Sequence, residues 1–74
     1  MTYDSARSAH IERTLRQCAV ELHPSGQWQH LADAMGVTPK VFRYWWTKAR
    51  VPAVKAKWLE NRFPAIVNAA SLTG

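Results

Sequence analysis

The prolines and glycines of this chain leave room for little except short helices. Pro24 and Gly26 interrupt it first, then Gly36, Pro52 and Pro64, and residues of these two types end or bend regular structure. Between the breaks no run alternates apolar and polar residues for long enough to form a half-buried strand. Apolar residues recur instead at three- and four-residue spacing, the period of a helix with one buried face. With 74 residues, 47% apolar and 20% charged, the chain is rich enough in apolar groups to fold, but too short for two cores. The expectation is all-α: one compact domain over residues 1–74, with four helices and a possible fifth turn.

The first helix is expected from about Ser5, as N-cap, to Leu22, with Ile11, Leu15, Cys18, Ala19 and Leu22 on one stripe. Pro24 ends it, because a proline disfavours α geometry at the preceding residue. The second is expected from about Gly26 to Met35, with Trp28, Leu31, Ala32 and Met35 inward and Gly36 as a left-handed C-cap. The third has Thr38 as N-cap and Pro39 at its first position, where a missing N–H costs nothing, and should reach Lys48 or Ala49. The fourth should start with Pro52 in its first turn and run to about Arg62, carrying Ala56, Leu59 and Phe63 with Val54 and Trp58 beside them. Pro64 stops it, and Asn68 can cap a last turn through Leu72.

Only Gly36 and Val37 separate the second helix from the N-cap of the third. Two short helices around a tight turn, over about residues 27–48, form a helix-turn-helix, whose second helix enters the DNA major groove. The arrangement needs a small residue where the two backbones meet, a turn residue between them and apolar anchors beyond. Ala32, Gly36 and Val37, then Phe42 and Trp45, supply these. At roughly 100° per residue, Val41, Phe42, Trp45, Trp46 and Ala49 share one arc of the third helix. Lys40, Arg43, Tyr44 and Thr47 share the opposite arc. That face presents two cations, a phenol and a hydroxyl, groups able to reach base edges.

The charge distribution agrees. The net charge is +5, from ten Lys and Arg against five Asp and Glu, which suggests a polyanionic partner, nucleic acid before membrane. No acid lies between Asp33 and Glu60, a stretch holding Lys40, Arg43, Lys48, Arg50, Lys55 and Lys57. Arg50, Lys55 and Lys57 flank the third helix. With Thr38 and Lys48 at its two ends they are the candidate phosphate contacts.

The run Leu31-Ala32-Asp33-Ala34-Met35-Gly36-Val37-Thr38, followed by Val41-Phe42 and Trp45, resembles the Cro-type helix-turn-helix. Val51-Pro52-Ala53, Lys55-Ala56, Leu59-Glu60 and the tail from Ala65-Ile66-Val67-Asn68 to Leu72 narrow the likeness to Cro/YdaS-like regulators of phage and prophage. The likeness spans about Gln27 to Leu72. It implies a lambda-repressor-like fold and a sequence-specific transcriptional regulator of repressor type. It also implies a homodimer on a short palindromic operator in double-stranded DNA, and base contacts from Pro39, Lys40, Arg43, Tyr44 and Thr47. Three departures stand out. Pro39 replaces a residue that is commonly polar, no glycine occurs between Thr47 and Val51, and the first helix is longer than the family norm.

Other readings have less behind them. The lone Cys18 cannot form an internal disulfide, and with His10, His23 and His30 it makes no zinc-site spacing. No catalytic grouping, phosphate-binding loop or carboxylate pair occurs, so neither an enzyme, a metal site nor a cofactor is expected. The stretch Met1–Ala9 is polar, unlike a signal peptide, and no apolar run approaches a membrane span, so a bacterial cytoplasmic, nucleoid-associated location is expected. Of the four tryptophans, Trp45 and Trp28 suit the core. Trp46 and Trp58 keep open a protein-interaction module on the same fold, such as an antitoxin or antirepressor. A single-strand binder would need these aromatics exposed.

Overall fold

The computed structural model describes residues 5–73. They form five helices and no strand: α1 Ser5–Leu22, α2 Trp28–Met35, α3 Pro39–Thr47, α4 Ala53–Arg62 and α5 Ala69–Thr73. The all-helical expectation holds, and α1 has the bounds read from its stripe. Its first residue is Ser5 itself, so the capping position expected there falls one residue earlier, outside the described residues. Ile11, Leu15, Cys18 and Ala19 are fully buried. That stripe packs against both α2 and α3, while α4 packs against α5.

Two helix starts shift for backbone reasons. Helix α2 begins at Trp28 rather than Gly26, because Gly26 is left-handed at φ +63° and Gln27 is extended. A Cβ at position 26 would also stand 2.8 Å from Val20 Cγ2, so that exposed side chain would have to shift. Helix α4 begins at Ala53, with Pro52 at the cap position rather than inside the first turn.

Helix α2 ends as expected. Gly36 is left-handed at φ +71°, the Val37 N–H bonds the Ala32 carbonyl at 3.0 Å, and the Gly36 N–H bonds that of Asp33 at 3.3 Å. This paired closure is the Schellman motif. The same closure recurs at the end of α3 without a glycine. The Arg50 N–H bonds the Trp45 carbonyl at 3.0 Å and the Ala49 N–H that of Trp46 at 3.1 Å. Ala49 is left-handed at φ +56°, which is why α3 stops at Thr47, short of the expected Lys48 or Ala49. An alanine in this conformation carries a strain of about 1–2 kcal/mol. Ala49→Gly removes it at some cost in chain entropy. The expected net gain is about 0.5–1 kcal/mol, read as a rise of a few degrees in Tm; a fall in Tm contradicts the strain.

Long-range bonds close the domain. The Arg7 Nε donates to the Ala49 carbonyl at 2.7 Å, tying α1 to the turn after α3. The Val51 N–H donates to the Leu72 carbonyl at 2.9 Å, and α5 covers the fully buried Val51. At the start of α5 the Asn68 side chain accepts the Ala70 N–H at 3.0 Å, as expected of a cap, and Glu60 accepts the Ala69 N–H at 3.1 Å. Thr38 occupies the cap position of α3 but makes no side-chain capping bond.

Cys18 is fully buried. Burial, and then the nearby Glu21 carboxylate, push its thiol from 9.0 up to about 12. Because the folded value is the higher one, the thiol contributes stability below pH 9 and loses it as pH rises towards 12. At pH 8 iodoacetamide should therefore label the native chain far more slowly than the urea-unfolded chain. Equal rates would place Cys18 at the surface.

Candidate nucleic-acid interface

Helix α3 is anchored by aromatic packing. Phe42 is fully buried and Trp45 nearly so, at 4% exposure. The Phe42 ring lies 5.5 Å from Trp45 and 5.4 Å from Trp28, and Trp28 lies 5.5 Å from Trp46. Arg16 of α1 sits over the outer face of this group, 5.1 Å from the Trp28 ring centre, while also pairing with Glu12 at 3.2 Å. Trp28 and Trp46 are thus half-buried packing residues. Ala32 is fully buried where α2 meets its neighbours, and Val37 is half-buried in the turn.

This packing turns the opposite side of α3 outward. Lys40, Arg43, Tyr44 and Thr47 are all exposed, Tyr44 at 61%. With Thr38 and Val41 they line a shallow groove along the helix. Beyond Tyr44 the surface continues through Trp45, Lys48, Arg50 and Pro52. The Lys48 ammonium lies 5.6 Å from the Tyr44 ring centre, a cation–π contact that holds the tyrosine at the seam. Pro39 is half-buried at the start of the helix.

The structure thus gathers Thr38, Lys40, Arg43, Tyr44, Thr47, Lys48 and Arg50 on one continuous surface. Among the described residues, neither Lys40 nor Arg43 has an ion-pair partner. The two acids that bracket this stretch in the sequence have other partners: Asp33 accepts from Gln29 Nε2 at 2.6 Å and Glu60 from the Ala69 amide.

Two expected phosphate contacts stand apart. Lys55 is half-buried and its Nζ donates to the Met35 carbonyl at 3.3 Å, binding α4 to the end of α2. A cation there also suits the negative end of the α2 dipole, a tie between helices that sequence spacing alone does not show. Lys57 belongs to another surface on α4, beside Ala53, Val54, Trp58 and Asn61. Val54 is 78% exposed there. Arg7 was not singled out from sequence, although it fixes the turn that ends α3, because a contact across 42 residues leaves no local signal.

Of the histidines, His10 and His23 are exposed and His30 half-buried, with the His23 and His30 rings stacked 4.0 Å apart. Among the described residues no three His, Cys, Asp or Glu side chains come together as a metal site, and no helix is long and apolar enough to cross a membrane. No family model, curated protein or solved structure matches the chain.

Proposed function

We propose that the chain is a sequence-specific double-stranded DNA-binding regulator of Cro-like repressor type, seating α3 in the major groove as the recognition helix of a helix-turn-helix. The observation that carries the reading is the exposed, cation-bearing face of α3, whose opposite side is locked into the core. Lys40, Arg43, Tyr44 and Thr47 are the base-reading groups, while Thr38, Lys48 and Arg50 are placed for phosphates. Occupying an operator in this way blocks a promoter. One short helix reads few base pairs, so a homodimer on a palindrome, with its two recognition helices roughly 34 Å apart, supplies the missing specificity. A nucleoid-associated place in a bacterial cytoplasm follows from that role.

A second reading has its own support. The exposed Val54 and half-buried Trp58 of α4 form an apolar surface suited to a protein partner. Salt separates the two. Labelled duplex and single-stranded oligonucleotides of random sequence are titrated at about 50 and 200 mM salt. With roughly four phosphates neutralised, affinity for duplex should fall by about 10²-fold over that range, and duplex should bind more tightly than single strands. Absence of duplex binding at the lower salt rules the DNA reading out.

A further inference from the structure

The donors on α3 have a chemistry of their own. Lys40 offers three N–H donors and no acceptor, and Arg43 five donors in a planar fork. Between Thr38 and Arg50 the chain contains no Asn, Gln, Asp or Glu. Adenine is read in the major groove by a side chain that both donates and accepts, and cytosine by one that accepts. Lys40 and Arg43 can do neither. Guanine alone offers two adjacent acceptors there, O6 and N7, while thymine offers one acceptor and a methyl group.

We propose that the DNA half-site selected by this chain carries guanines at two neighbouring base pairs, read through the major-groove O6 and N7 by Lys40 and Arg43. The inference rests on α3 binding duplex DNA as proposed above. Both side chains are exposed and have no ion-pair partner among the described residues, so no internal contact has to break for them to turn to a base. Their spacing suits adjacent pairs. Three residues rise about 4.5 Å along a helix, against about 3.4 Å between successive base pairs. Thr47 lies a further turn on, and with the Tyr44 ring it offers apolar contact to a thymine methyl beside the guanines. Lys48 has a different task, because its ammonium already lies over the Tyr44 ring; it suits a phosphate at the groove edge.

The test is selection from a random duplex pool, followed by titration of the selected duplex with single-atom base analogues. The expected half-site contains guanines at two neighbouring base pairs. Replacing either with 7-deazaguanine, which lacks the N7 acceptor, should weaken binding about tenfold. Inosine, which keeps O6 and N7 and loses only the minor-groove amino group, should bind as guanine does. Arg43→Gln should move the preference at one position from guanine to adenine, since Gln both donates and accepts. Selected sites without two neighbouring guanines, or indifference to 7-deazaguanine, overturn this assignment while leaving duplex binding intact. Failure to enrich any sequence, with no binding to the pool itself, overturns the DNA reading as well.

Discussion

Phe42→Ala is expected to remove a large part of the folding stability of the chain and to move its urea midpoint far down. Phe42 is fully buried and touches both Trp28 and Trp45, so its ring joins α2 to α3. Truncating a buried phenylalanine costs about 3–5 kcal/mol. At roughly 0.05–0.15 kcal/mol per residue, a chain of this length has only about 4–11 kcal/mol in total. A domain this small also has few other contacts with which to fill the cavity. Urea unfolding followed by far-UV circular dichroism gives the comparison. A midpoint within experimental scatter of the native chain would mean that Phe42 is not the anchor of α3.

Arg43→Ala carries the largest expected effect on function. Arg43 is exposed, so the fold should be unaffected, and the change should cost about 1–3 kcal/mol on the selected duplex while relaxing one base position. Arg50→Ala is the contrast. It should weaken every sequence alike and lower the steepness of the salt dependence by about one phosphate equivalent. Lys55→Ala is a poor phosphate control, because that amino group bonds the end of α2. Equal losses on selected and random duplex for Arg43→Ala remove the base-reading role assigned to it. Measured affinities of both variants on both duplexes separate these outcomes.

The helices were legible because their signals are local. Pro39 and Gly36 mark the two sides of the turn, and the stripe Ile11-Leu15-Cys18-Ala19 needs only a period. The outward arc of α3 followed from the same period, and its four side chains are exposed together. What escaped sequence reading depends on conformation or on distant partners. Ala49 takes a left-handed turn that a glycine would have announced. Lys55 looks like one more cation until the Met35 carbonyl is placed beside it. Arg7 reaches Ala49 across 42 residues. Trp46 could not be sorted between core and surface, since it is partly both, packed on Trp28 at one face.

The most direct test is an amide chemical-shift titration of the labelled chain with a short palindromic duplex. Binding through α3 predicts that the largest shifts fall between Thr38 and Arg50, with the amides around Val54 and Trp58 on α4 little changed. Shifts centred on Val54 and Trp58 with α3 silent, or no shifts at all at low salt, contradict the account.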